Sequence, residues 1–97
     1  MKISYSFGMV DLLHFGHVNA LRLAAEDADL SVFGLVSDEA SDAWFGAHVS
    51  NETERRAVLE SIKYVDRVVP QRTFDPIDNL RAMIDAKVNL NNLLRNL

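Results

Sequence analysis

Leu30-Ser31-Val32-Phe33-Gly34-Leu35-Val36 is the stretch that most restricts how this chain can fold. It is almost continuously apolar, which suits a central strand of a parallel sheet, covered on both faces. Two weaker strand patterns accompany it. Ile3, Tyr5 and Phe7 alternate with polar residues, and Arg67-Val68-Val69-Pro70 reads as a short third strand. Helical patterns separate the three. Residues 17 to about 27 place Val18, Leu21, Ala24 and Ala25 on one side. Asn51 followed by Glu54 reads as a capping-box start, with a helix running to about Ile62. Asp75-Pro76 sets a cap residue before a proline at the first helical position, and Ile77, Leu80 and Ile84 follow on one stripe. Residues 37–50 show no clear period and are read as a loop with at most a turn of helix. The order β-α-β-α-β-α predicts an α/β fold with a parallel sheet and right-handed crossovers.

A chain of 97 residues, 48% of them hydrophobic, has enough apolar material for one domain with a modest core. It contains no cysteine, which removes disulfides and thiolate metal sites and suits a cytoplasmic setting. No apolar run reaches membrane-spanning length, and Met1-Lys2 leads directly into a strand pattern without a signal peptide. A net charge of -4 argues against general nucleic-acid binding. The charge is unevenly spread. Residues 1–54 carry two cations, Lys2 and Arg22, against nine acids, whereas residues 55–97 carry eight Lys or Arg against five acids. Any polyphosphate bound in the first half would need cations from the second half, or a metal ion.

The chemistry is concentrated in Gly8-Met9-Val10-Asp11-Leu12-Leu13-His14-Phe15-Gly16-His17. Two histidines three apart, with a glycine between them, stand where the first strand pattern gives way to a helix. In an open α/β sheet that is the carboxyl end of a strand, the ligand side. A helix N-terminus offers free N–H groups and the positive end of its dipole, both suited to phosphate. Two imidazoles there point to phosphoryl or nucleotidyl chemistry. The competing readings are helix capping and metal binding, and for a metal no third ligand is placed by the sequence. Gly8 allows either close backbone approach of a ligand or an ordinary turn, and Gly16 has the same two readings. Asp11 either orients a histidine or shapes the loop. Arg55 shares a helical face with Val58, Leu59 and Ile62, the expected core face, while Arg56 lies to its side. An inward arginine needs a partner, which is either an acidic side chain or a ligand phosphate. Lys63 reads as a solvated helix end and His48 as a surface residue.

The segment Asp11-Leu12-Leu13-His14-Phe15-Gly16-His17 resembles the His-x-Gly-His motif of the cytidylyltransferase family of the nucleotidyltransferase superfamily. The stretch from Glu54-Arg55-Arg56 through Leu59-Glu60-Ser61-Ile62-Lys63-Tyr64-Val65-Asp66-Arg67-Val68-Val69-Pro70 is similar to the same family at the expected distance. The nearest likenesses are the glycerol-3-phosphate and the choline- and ethanolamine-phosphate enzymes. The resemblance implies a Rossmann-like nucleotidyltransferase fold and transfer of CMP from CTP to a phosphorylated alcohol, with magnesium bridging the triphosphate. It implies that His14 and His17 are catalytic and that Gly8, Met9, Val10, Asp11, Gly16, Arg55 and Lys63 are nucleotide-binding. An ATP-using adenylyltransferase and a non-catalytic binding module are the alternatives.

The sequence departs from the family pattern at three places. Met9 and Val10 stand where the family has Thr and Phe. Asp42-Ala43-Trp44-Phe45-Gly46-Ala47-His48 lacks the family's lysines, and its Trp44 and Phe45 suit stacking, a lid or an interface. Residues 1–86 form the expected nucleotidyltransferase-like domain. Residues 87–97 read instead as an amphipathic tail without the family's fourth strand or its Arg-Thr-x-Gly-Ile-Ser-Thr motif. Leu90, Leu93, Leu94 and Leu97 form a stripe roughly 135° around the helix from that of Ile77, Leu80 and Ile84. That stripe predicts a homodimer contact or a fold-back over an open sheet edge.

Overall fold

The computed structural model of the chain describes residues 2–46 and 48–85. The tail expected over residues 87–97 lies outside them. Three strands, β1 (Ile3–Gly8), β2 (Leu30–Val36) and β3 (Arg67–Gln71), form one sheet in the order β1-β2-β3. Both pairings are parallel, with Tyr5 opposite Val32 and Phe33 opposite Val68. Four helices connect and flank the strands: α1 (Phe15–Ala25), α2 (Asp38–Phe45), α3 (Glu52–Glu60) and α4 (Ile77–Asp85). The strand and helix order is the expected one with one helix added. Among the described residues, no helix is long and apolar enough to cross a membrane.

Alternation along the strands divides the core. On one face, Leu21 of α1 and Leu59 of α3 close over Phe33, Leu35 and Val68, with Val10, Leu13, Ile62, Tyr64 and Val65 packed around them. Val32, Val36 and Val69 are buried on the other face. That face also holds a polar network: the Tyr5 hydroxyl donates to Gln71 Oε1 at 2.6 Å and accepts from Asn79 Nδ2 at 2.8 Å. Gly34 makes room for it, since a Cβ there would collide with the Tyr5 hydroxyl. Burial raises the Tyr5 pKa above its usual value, partly offset by the Asn79 bond.

Several expectations are corrected. Residues 38–45 form a full helix rather than a loop, because Ser37 caps it by accepting from the Ala40 N–H and Asp38 and Glu39 occupy its first turn. The first helix begins two residues early, at Phe15, for reasons set by its cap. Val58 is exposed rather than part of the core face, which Leu59 and Arg55 occupy. On α4, Ile77 and Leu80 are exposed, and Asn79 points inward to the Tyr5 hydroxyl and the Pro70 carbonyl. Two of the three residues of the expected apolar stripe are thus turned to the surface.

Candidate active site

The carboxyl ends of the strands gather the β1–α1 loop, the start of α2 and the α2–α3 loop. His14 is the N-cap of α1, with extended backbone at φ -136° and ψ -178°. Its Nδ1 accepts from the Gly16 N–H at 2.9 Å, and His17 Nδ1 reaches back to accept from the His14 N–H at 3.1 Å. This is a capping box built from two imidazoles. The two rings lie 4.1 Å apart, tilted by 41°.

The arrangement fixes the chemistry of both rings. A neutral imidazole that accepts at Nδ1 carries its proton on Nε2. Each ring therefore holds an Nε2–H donor, and among the described residues neither Nε2 has a partner. Burial, then the neighbouring His14, lowers the His17 pKa and favours this neutral donor form. Gly16 is needed for the geometry: a Cβ there would lie 2.7 Å from His14 Cε1 and push the ring off its cap. Gly8, by contrast, has no packing reason to be glycine, since a Cβ would sit 3.7 Å from Phe33 in ordinary contact. Its smallness leaves the backbone at the end of β1 open to close approach.

Asp11 shapes the loop and does not orient a histidine. Its carboxylate accepts from the Val49 N–H at 2.6 Å, the Ser50 N–H at 2.9 Å and the Ser50 hydroxyl at 2.6 Å. The Ser50 hydroxyl bond, then the two backbone bonds, lowers the Asp11 pKa to about 2. Met9 is half-buried, and Val10 packs on the core cluster beside His17. A cavity of about 160 Å³ lined by Ser6, Phe7, Val10, His17, Ala20, Leu21 and Phe33 adjoins the second imidazole. Sites that enclose a small ligand run to roughly 300–1,000 Å³. That cavity is smaller than those sites.

Two sequence-predicted contacts are placed elsewhere. Arg55 is 2% exposed, and its guanidinium is already engaged with Asp38 Oδ1 at 3.1 Å and with the Ser50 and Val36 carbonyls at 2.6 and 3.0 Å. It is a buried structural cation, with Nε unpartnered, rather than an arm free for a phosphate. Arg56 is the exposed one of the two, paired with Glu60 and the Val68 carbonyl. Lys63 lies just before β3, at the end of the sheet opposite the histidines, with its ammonium 5.1 Å from the centre of the Tyr64 ring. His48, expected at the surface, is instead lodged between two acids, with Nδ1 2.8 Å from Asp42 and Nε2 3.5 Å from Asp38. The side chains of Trp44 and Phe45 lie outside the described residues. Ser50 and Asp38, which join the loops to one another, carried no sequence signal, because their partners lie 39 and 17 residues away.

A three-stranded parallel sheet with a histidine-capped helix following its first strand defines an α/β domain with the histidine pair on the ligand side of the sheet. Comparison with known proteins gives the family: a model described as cytidylyltransferase-like matches residues 5–93, and the chain belongs to that family. It is 38% identical over 72 residues to a glycerol-3-phosphate cytidylyltransferase of Staphylococcus aureus, covering 74% of this chain and 54% of that enzyme. It is 44% identical over 64 residues to an ethanolamine-phosphate cytidylyltransferase of Dictyostelium discoideum, covering 66% of this chain and 18% of that one. The chain thus spans about half the length of the shorter of these relatives. A lipopolysaccharide core biosynthesis protein of Thermoplasma volcanium shares the fold, with a TM-score of 0.76 and 24% identity, over 90% of this chain and 69% of that one.

Proposed function

We propose that this chain transfers CMP from CTP to a phosphorylated alcohol. The observation that carries the reading is the imidazole capping box, which aims two Nε2–H donors outward at a helix N-terminus free of acidic residues in its first turn. A phosphate oxygen of the acceptor attacks the α-phosphorus of CTP, the bond from that phosphorus to the β-phosphate oxygen breaks, and pyrophosphate leaves. No covalent enzyme intermediate is required. The protein's task is to position the groups and to stabilise the charge that builds on the α-phosphate oxygens. The two Nε2–H groups and the positive end of the α1 dipole supply that stabilisation. The backbone beside Gly8 supplies the close approach.

Magnesium belongs to this reading as part of the substrate. Among the described residues, no cluster of three His, Asp or Glu could hold a metal ion. In this reading the ion comes bound to the triphosphate of the substrate. A homodimer through the leucines of the tail and a cytoplasmic location complete the proposal.

A second reading, a binding module without turnover, is favoured by one observation. Helix α2 presents Asp38 and Asp42, the loop after it a His48 already engaged by both, and Arg55 is buried. Pyrophosphate release from CTP with glycerol 3-phosphate or phosphoethanolamine, with ATP in parallel, tests the first reading. Turnover with CTP is the expected result. Tight CTP binding in calorimetry with no pyrophosphate release would replace it with the second, and turnover with ATP alone would make the chain an adenylyltransferase.

A further inference from the structure

The loop that delivers the histidines is strained. Val10 and Leu12 have φ of 48° and 53°, the positive-φ positions among the described non-glycine residues. For a β-branched valine that is a rare conformation, held only where the surroundings impose it. Asp11 sits between the two, so whatever holds its carboxylate holds the loop.

Ser50 makes two of the three hydrogen bonds that hold it, and the Val49 N–H makes the third. Ser50 spends every polar atom it has on this junction. Its N–H and hydroxyl both donate to Asp11 Oδ1, at 2.9 and 2.6 Å, and its carbonyl accepts from Arg55 Nη1 at 2.6 Å. Arg55 in turn is anchored to the Val36 carbonyl at the end of the central strand and to Asp38 at the start of α2. A continuous polar path therefore runs from β2 through Arg55 and Ser50 to Asp11, and from there along the backbone to His14. One joint of that path is a serine in the α2–α3 loop, tied to Asp11 across 39 residues of sequence.

We propose that Ser50 is a positioning residue for the histidine pair, its hydroxyl locking the strained Val10–Leu12 turn so that both imidazoles stay on the cap of α1. The proposal rests on the nucleotidyl-transfer reading for its kinetic consequence, but its structural content stands apart from that reading. Ser50 touches no reacting atom; it acts through Asp11. One hydroxyl bonded to a carboxylate is a strong hydrogen bond by the usual scale, and its loss should lower kcat by roughly tenfold.

The test compares Ser50→Ala, Ser50→Cys and Ser50→Thr in the full chain. Alanine removes the hydroxyl, cysteine keeps its size with a weak donor, and threonine keeps the hydroxyl itself. Two readouts are taken together: steady-state kinetics with CTP, and NMR titration of the Asp11 carboxyl with the ring signals of His14 and His17. Expected are kcat about tenfold lower with KM for CTP within twofold in Ser50→Ala and Ser50→Cys, and near-normal kcat in Ser50→Thr. In the first two the Asp11 pKa should rise from about 2 toward the ordinary 3.8, and both histidine signals should shift. Unmoved histidine signals in Ser50→Ala, or in Ser50→Cys if alanine prevents folding, overturn the proposal. Equal impairment of Ser50→Thr and Ser50→Ala also overturns it, since that would reflect general disturbance of the loop. If the unaltered chain shows no CMP transfer, the functional reading fails and the NMR arm alone decides about Ser50.

Discussion

The N-termini of α1 and α3 carry the same hydrogen-bond pattern in two different chemistries. At α3, Asn51 accepts from the Glu54 N–H at 2.9 Å and Glu54 accepts from the Asn51 N–H at 3.0 Å. Glu52 and Glu54 add negative charge to the first turn. At α1 the same two positions are His14 and His17, and the first turn contains no acid. The α3 cap closes its helix end: the free donors are used and the dipole is met by carboxylates. The α1 cap uses its Nδ1 atoms for the helix and leaves two Nε2–H donors and an unbalanced positive end for something else. Histidine is a poorer cap than asparagine, so α1 carries the weaker cap, and under the proposed function that cost keeps a donor pair turned toward an anion. Its neighbours α2 and α4 also carry first-turn acids, Asp38 and Glu39 in one and Asp78 in the other.

The sharpest way to break this contrast is to remove one imidazole. His14→Ala or His17→Ala should cost about 3–4 kcal/mol of transition-state stabilisation each, a rate loss of roughly two to three orders of magnitude, with the circular dichroism spectrum unchanged. Near-normal turnover in both would remove the histidines from the chemistry. His14→Asn makes α1 resemble α3 and separates the two roles: the melting temperature should hold or rise while transfer is lost. On the structural side, Arg55→Ala deprives Asp38 and the Ser50 and Val36 carbonyls of their buried donor. Breaking a buried pair typically costs about 3–5 kcal/mol. Because Asp38 is partly exposed, we expect the lower end, about 3 kcal/mol, in urea denaturation. A loss under 1 kcal/mol would show that water replaces those bonds.

Smaller effects should have opposite signs at the two helix ends. Asn51→Ala should lower stability by about 1 kcal/mol and leave nucleotide affinity unchanged. Phe15→Glu, at a position 82% exposed in the first turn of α1, should stabilise the helix by about 0.3–1 kcal/mol. The same change should weaken CTP binding, because it supplies the carboxylate that the site leaves out; tighter binding would contradict the anion-facing assignment. Acidification adds a pH test. The Asp11 carboxyl is held at about 2 against 3.8 for the free group, so the folded state binds its proton less readily than the unfolded chain. Its contribution is complete above the unfolded value and is lost as pH falls from there through about 2. Asp11→Asn should flatten that part of the stability–pH curve, and an unchanged slope would mean that the carboxylate bonds contribute nothing.

Local signals in the chain were sufficient for most of the fold. β2 is legible because a strand covered on both faces has to be apolar throughout, and the α3 start because Asn51 and Glu54 cap it within four residues. The histidine pair was legible for the same reason, as a strand-to-helix junction is a local event. Helix α2 was missed because it spans only eight residues, and what secures it is a serine cap and two first-turn acids. The direction of α4 was misread because Asn79, not an apolar residue, meets the sheet, and only the Tyr5 hydroxyl and the Pro70 carbonyl waiting there make that favourable.

The sequence by itself determined the alternation of strands and helices, the place of the histidine motif and the inward turn of Arg55. These depend on neighbours within a turn or two, where periodicity and capping act. Only the tertiary structure decided what Arg55 meets there, why Asp11 serves a loop rather than a histidine, why His48 lies between two acids and why Lys63 stands at the far end of the sheet. Each of those outcomes is a pairing of polar groups brought together by folding or kept apart by it. A charge taken from water must find its partner wherever the fold puts one, and distance along the chain does not record where that is.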